Sequence, residues 1–185
     1  PLPHGPSLAS PALVAILFRP RDHRMRWPAL GIYTGAAITD YLDGYIARAW
    51  SQQSAIGRML DPIADKLLVA ALLLMLVYTG QIEGWTLWAA IVILCREILV
   101  SGLREFLADL KVSVPVSKVA KWKTTAQLFA LGFLIAGPAG DKVLPGNTTI
   151  GIVLLWAAAG LTIYTGWDYF NAGIRHLVAE DQRAP

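Results

Sequence analysis

Apolar residues occur along the chain in five long runs, separated by short polar or glycine- and proline-rich stretches. The runs cover about residues 27–48, 60–79, 85–107, 119–137 and 149–170. Each is close to the ~20 residues that an α-helix needs to cross the hydrocarbon core of a bilayer. The pattern therefore predicts five transmembrane helices, with turns at the breaks between them.

A shorter apolar stretch lies near the amino end, at residues 7–18, and contains Pro11. It is marginal against the ~17 residues that a span requires. It is therefore either a short first helix or a helix that lies in the membrane interface. The sequence as a whole predicts an all-α integral membrane protein, a bundle of about six transmembrane helices, with a single membrane domain over residues 1–185.

The composition supports this fold class. The 185 residues are 55% hydrophobic and only 16% charged, and the mean hydropathy is +0.49, which leaves little room for a separate soluble domain. The single cysteine, Cys95, excludes an internal disulfide. The net charge is +3, but the basic residues are scattered among the apolar runs and form no nucleic-acid-binding motif. We therefore expect membrane lipids as partners and no nucleic acid.

Lysine and arginine near the ends of the runs predict the orientation. The connection 108–123 and the chain after the fifth run are rich in them, so both are expected in the cytoplasm. Alternating crossings then place the 49–56 loop in the cytoplasm too. The segment 19–26 has four arginines and would lie outside if residues 7–18 span. Either residues 7–18 do not cross the membrane, or this segment is an exception to the rule that positively charged loops lie in the cytoplasm.

Four aspartates lie where the first two of the five runs meet, at the predicted cytoplasmic end. Residues three or four apart share a helix face, so the first two aspartates lie beside Gly44 and Ala47, and the last two beside Gly57. Four uncompensated carboxylates at this depth would be very costly, so the cluster needs cations. The aspartates are Asp40, Asp43, Asp61 and Asp65.

Oxygen ligands without a neighbouring histidine or cysteine favour a hard ion, and two divalent ions would balance four carboxylates. Magnesium is the first candidate and manganese the second. The small Gly44 and Ala47 leave room for a flat group close to the metal, and Arg48 could bind phosphate oxygens. The alternative is that the small residues only permit close helix packing and that the aspartates are solvated loop charges.

A second set of charged residues lies in the third run and at the start of the fourth. Arginine well inside a span marks a functional site by default, so this set predicts a pocket for an anion, which is called the acceptor pocket below. The alternative for the two arginines is an ion pair with Glu97 or Glu105. We interpret two further lysines, Lys111 and Lys123, as interfacial anchors. The predicted acceptor residues are Arg96, Arg104, Lys118 and Lys121.

The stretch from residue 40 to 65 reads DYLDGYIARAWSQQSAIGRMLDPIAD. It resembles the full signature of the CDP-alcohol phosphatidyltransferases, which fixes eight positions at fixed spacing. The resemblance implies a six-helix membrane fold, usually a homodimer, with a polar cavity that faces the cytoplasm and a place in a bacterial inner membrane. The matching residues are Asp40, Asp43, Gly44, Ala47, Arg48, Gly57, Asp61 and Asp65.

The same resemblance implies the roles of these residues. Asp40, Asp43 and Asp61 are expected to hold the metal, and Asp65 to act as catalytic base while also facing the metal site. The remaining four positions are expected to bind the CDP-lipid, with Gly44, Ala47 and Arg48 next to the cytidine nucleotide.

Three further stretches resemble the branch of this family that makes phosphatidylglycerophosphate. They read MLDPIADKLLVAALLLMLV, REILVSGLREFLA and KVAKWKTTAQ. This implies CDP-diacylglycerol as donor and glycerol 3-phosphate as acceptor. The amino end, PHGPSLAS, departs from the PNxLTxxR-like segment with which members of the family typically begin.

The residues also predict a type of reaction. No serine, cysteine or histidine stands in an evident nucleophilic arrangement, which favours direct, metal-assisted attack of the acceptor hydroxyl over a covalent intermediate. Related enzymes that use inositol phosphate, serine or phosphatidylglycerol as acceptor are the alternatives. From a different class, a divalent-cation transporter is an alternative as well.

Overall fold

Helices make up all the regular secondary structure in the part of the chain that the structure, a computed structural model, describes. That part comprises residues 26–50, 55–109 and 118–181, and no strand occurs in it. The prediction of an all-α chain is confirmed there. The helices are α1 (Arg26–Trp50), α2 (Ala55–Tyr78), α3 (Thr86–Asp109), α4 (Lys118–Asp141) and α5 (Asn147–Asp181).

Each of the five predicted helices coincides with one of these helices. Two of them contain stretches long and apolar enough to cross a bilayer, Thr86–Ala108 in α3 and Asn147–Asn171 in α5. A shorter apolar stretch, Lys66–Tyr78, lies in α2. These stretches agree with a membrane protein. The additional helix considered for residues 7–18 lies outside the described residues.

The chain divides into two compact units, which are described separately. The first takes in α1, α2, the end of α4 and the start of α5, and the second takes in α3, the start of α4 and the rest of α5. The core of the first unit includes Leu72, Leu73, Leu76, Leu131, Leu134 and Ile135, and that of the second includes Ala89, Ile93, Leu155 and Ala158, all of them buried.

A break in α4 shapes the first unit. Gly137 has φ 46° and ψ −134°, and Pro138 follows it inside the helix. A positive φ suits glycine, and proline has no N–H to continue the helical hydrogen bonds. The buried Asn147, the first residue of α5, donates from Nδ2 to the carbonyls of Phe133 at 2.9 Å and Gly137 at 3.2 Å. The side chain of one helix therefore satisfies carbonyls at the break in the other.

The turn between α4 and α5 is closed by Asp141. Its carboxylate accepts hydrogen bonds from the backbone N–H and the hydroxyl of Thr148, the former at 3.0 Å. These bonds, with the hydroxyl of Thr148 as the largest contributor, lower the pKa of Asp141 below its ordinary value. Beyond the turn, a Cβ at Gly151 would lie 2.9 Å from Leu134 Cγ. The absence of a side chain at Gly151 therefore allows α4 and α5 to pack closely.

Candidate active site

The backbone puts the signature aspartates on two consecutive helices. Asp40 and Asp43 lie on the carboxyl-terminal half of α1, and Asp61 and Asp65 lie on the amino-terminal half of α2. Spacings of three and four residues keep each pair on one face of its helix. The side chains of residues 40–50 and 55–65 lie outside the described part, so the meeting of the two faces stays a prediction.

This donor set fits a divalent metal on chemical grounds. Each helix contributes two carboxylates from a single face, and oxygen ligands of this kind suit a hard cation such as magnesium or manganese. Among the side chains that the structure describes, no group of three or more histidine, cysteine, aspartate or glutamate residues could hold a metal ion. The four aspartates are not among those side chains, and their assignment as the metal centre stays a prediction.

Arg96, in the middle of α3, contacts α5 through two of its nitrogen atoms. Nε donates to the carbonyl of Thr162 at 3.2 Å, and Nη2 donates to the hydroxyl of Thr165 at 2.9 Å. The next residue, Gly166, has no side chain, and a Cβ there would lie 3.2 Å from Arg96 Cγ. The bare backbone at this point allows the arginine to lie along α5, so Arg96 joins the two helices.

Glu97, the neighbour of Arg96, contacts two positively charged side chains. Its Oε1 accepts hydrogen bonds from Arg96 Nη1 at 3.5 Å and from Nζ of Lys123 on α4. The ion pair considered for Arg96 from the sequence is therefore present, beside the bonds to α5. Lys123 is buried, with 6% of its surface exposed. Its interpretation as an interfacial anchor is wrong, because an acidic partner one helix away was not visible in the periodicity of α4 alone.

Arg104 lies eight residues after Arg96, which is about 12 Å farther along α3. Its Nη2 donates to the hydroxyl of Tyr169 on α5 at 3.1 Å, and its guanidinium carbon lies 5.7 Å from the centre of that ring. Tyr169 is buried while Arg104 is exposed. Since a guanidinium has five N–H donors, Arg104 has donors left for an anion.

The structure thus brings two of the four predicted acceptor residues, Arg96 and Arg104, against the same helix. Lys118 and Lys121 lie on the first turn of α4, and their side chains lie outside the described part. The positions of the lysines relative to the arginines remain a prediction. Sequence reasoning did not single out Thr165 or Tyr169, because the helical pattern gives no signal for which hydroxyls of α5 face α3.

The helical architecture, the two apolar stretches long enough to span a bilayer and the paired aspartates on consecutive helices are typical of an all-α membrane protein. The family model for CDP-alcohol phosphatidyltransferase matches residues 7–164. The chain belongs to this family, and the expectation drawn from the signature is confirmed. The matched region contains the signature and all four predicted acceptor residues.

Similar proteins point to one branch of the family. The chain is 49% identical over 141 residues to the CDP-diacylglycerol--glycerol-3-phosphate 3-phosphatidyltransferase of Rickettsia bellii, covering 76% of each protein. It is 45% identical to the protein of the same name from Rickettsia typhi, covering 86% of this chain and 88% of the relative. It is 39% identical to that from Cereibacter sphaeroides, covering 94% and 93%.

Proposed function

We propose that this chain transfers the phosphatidyl group of CDP-diacylglycerol to sn-glycerol 3-phosphate, giving phosphatidylglycerophosphate and CMP. The observation that carries the proposal is the 39–49% identity to proteins named for this reaction, over most of their length. We propose further that the chain forms one domain of about six transmembrane helices and assembles as a homodimer in a bacterial inner membrane, with its polar cavity open to the cytoplasm.

In the proposed site, Asp40, Asp43 and Asp61 hold a divalent cation, magnesium or manganese, and the four carboxylates balance two such ions. When bound, the metal neutralises the charge that develops on the phosphoanhydride. The Asp65 carboxylate removes the proton from the acceptor hydroxyl, whose oxygen then attacks the phosphorus that bears diacylglycerol. The bond from this phosphorus to the bridging oxygen breaks, and CMP leaves with that oxygen and its electron pair.

We propose that CDP-diacylglycerol, the donor, lies against the signature positions with the smallest side chains. Gly44, Ala47 and Gly57 have small side chains or none, so that a nucleotide can approach the helix backbone closely. Arg48, one residue beyond Ala47, would bind phosphate oxygens through two parallel N–H groups.

The acceptor phosphate is proposed to bind between the arginines of α3 and the lysines that begin α4. Support comes from Arg104, which is exposed and has spare donors, and from Arg96, which lies on the same side of α3 against α5. Lys118 and Lys121 would complete the pocket from the first turn of α4.

The proposed function is tested first by the acceptor. Purified protein in lipid nanodiscs is supplied with radiolabelled CDP-diacylglycerol, a divalent metal and, in parallel, glycerol 3-phosphate, inositol phosphate, serine or phosphatidylglycerol. We expect CMP release and labelled product with glycerol 3-phosphate alone. Efficient transfer to another acceptor would overturn the substrate assignment, and metal flux into sealed vesicles without CDP-lipid would favour a transporter.

The metal site is tested by Asp61→Asn. The amide lacks the charge that offsets the cation, so we expect turnover to be abolished and divalent-metal binding to be weakened. Titration of metal into the folded variant measures the second effect. The control is Glu83→Gln, since Glu83 is exposed in the connection between α2 and α3. Normal turnover by well-folded Asp61→Asn protein would refute the metal-site proposal.

The proposed base is tested by Asp65→Asn. A general base typically contributes ~10²–10⁴-fold to rate and little to ground-state affinity, so we expect most of kcat to disappear while CDP-lipid binding is retained. Equilibrium binding of the CDP-lipid and single-turnover kinetics separate the two quantities. If Asp65→Asn lost CDP-lipid binding as severely as Asp61→Asn, Asp65 would be a metal ligand alone.

A further inference from the structure

Arg96, Glu97 and Lys123 form a charge cluster within the second unit. The cluster contains two cations and one anion, and Glu97 Oε1 accepts hydrogen bonds from both cations. Glu97 lies within Thr86–Ala108, the stretch of α3 that is long and apolar enough to cross a bilayer. A carboxylate in such surroundings is unstable without a cation, and so is a lysine as buried as Lys123.

The two contacts of Glu97 are not equivalent. Arg96 Nη1 lies 3.5 Å from Oε1, at the outer limit of a hydrogen bond, while Lys123 Nζ makes the closer contact. The other bonds of Arg96 go to neutral oxygen atoms, the carbonyl of Thr162 and the hydroxyl of Thr165. Lys123 is therefore the main counter-ion of Glu97, and Glu97 neutralises the positive charge of Arg96 only in part.

We propose that Lys123 is a positioning residue for the acceptor. By pairing with Glu97, Lys123 leaves the guanidinium of Arg96 available to an anionic phosphate group. The inference rests on the proposed function in taking this anion to be the acceptor's phosphate. Without Lys123, Glu97 pairs fully with Arg96, the guanidinium turns toward the carboxylate and its charge is cancelled. Lys123 is buried, so it acts through Glu97.

The charge count provides a sharp test. The wild-type cluster has a net charge of one positive unit, from two cations and one anion. Lys123→Met lowers this net charge to zero, and the double variant Lys123→Met/Glu97→Gln restores one positive unit on Arg96 alone. A rescue of phosphate binding by the second substitution is expected if Lys123 acts through Glu97, whereas a purely structural role predicts that two altered residues do more damage than one.

We therefore propose to measure kcat and both Michaelis constants for wild type, the two variants above, Lys123→Arg and the control Lys142→Met, an exposed lysine in the turn after α4. We expect Lys123→Met to raise the KM for glycerol 3-phosphate more than tenfold, or ~1.4 kcal/mol, with the KM for CDP-diacylglycerol within twofold. Lys123→Arg and the double variant should return to within about threefold of wild type, on the order of 0.6 kcal/mol.

Binding of inorganic phosphate, measured by calorimetry on the same proteins without CDP-lipid, gives a readout that does not need turnover. Phosphate affinity should fall in Lys123→Met and recover in the double variant. Failure of the double variant to recover, or equal changes in both Michaelis constants, would overturn the inference. If wild type instead used an acceptor other than glycerol 3-phosphate, the proposed function would fail, while the phosphate titration would still decide the role of Lys123.

Discussion

Thr165→Val isolates the contact by which α5 holds Arg96. Thr165 is fully buried, its hydroxyl accepts from Arg96 Nη2 at 2.9 Å and it donates to the carbonyl of Leu161 at 2.9 Å. Valine has nearly the same shape but cannot accept a hydrogen bond. The substitution therefore leaves Nη2 of a charged group without this partner, while the bond from Nε to Thr162 stays in place.

The magnitude follows from the charge on the donor. Hydrogen bonds between membrane helices average only about 0.6 kcal/mol, but bonds to charged groups contribute about 1.5–3 kcal/mol. Arginine cannot escape the loss by deprotonation, because a guanidinium keeps its proton in proteins. The second range applies, so Thr165→Val should lower the free energy of unfolding by about 1.5–3 kcal/mol.

Steric trapping in bicelles measures this free energy without heat, and Thr165→Ser is the matched control. Serine keeps the hydroxyl and loses only a methyl group, so its loss of about 1 kcal/mol should be the smaller one. If valine proved as stable as wild type, or serine more damaging than valine, the contact between Arg96 and Thr165 would not hold α3 to α5.

Two further predictions concern the first unit. Gly137→Ala should destabilise the protein by more than about 1 kcal/mol in the same assay, because φ is positive and the new Cβ would overlap Arg26 Nη1. The control Gly102→Ala lies in open space on α3 and should not lower the stability. Equal effects of the two substitutions would refute the reasoning. The pKa of Asp141 is lowered in the folded protein, so its contribution to stability is present above the ordinary aspartate value of 3.8 and is lost as the pH falls through the folded value. Unfolding measured against pH should show this acid loss in wild type and a flatter curve in Thr148→Val, and identical curves would contradict the assigned cause.

The sequence predicted the helices well because the hydrophobicity of each long apolar run depends only on the residues within that run. The five runs coincide with α1 to α5, although α5 continues to Asp181, well beyond the apolar run that ends near residue 170. The added turns carry polar residues, and hydropathy gives no reason to continue a helix there. The helical positions of the signature aspartates were predictable for the same reason, since spacings of three and four residues define a helix face.

Contacts between helices were harder to predict. The pairing of Lys123 with Glu97 and the bonds of Arg96 to Thr162 and Thr165 depend on how α3, α4 and α5 are rotated about their axes. The hydrophobic periodicity of a single helix gives no information about that rotation. The predicted run ended at residue 137, because glycine before proline is typical of the end of a helix, whereas the structure resumes the helix after the break at Gly137 and continues it to Asp141.

The short turn closed by Asp141 and Thr148 has a consequence for biosynthesis. The stretch of α5 from Asn147 to Asn171 is long and apolar enough to cross a bilayer, and α4, which carries Lys118, Lys121 and Lys123, is not among the described helices that pass this test. Because only a few residues join α4 to α5, the two are expected to leave the translocon as one hairpin. In the proposed topology, the ribosome therefore synthesises α5 before α4 settles across the bilayer, and Lys123 then meets Glu97 on an α3 that is already inserted.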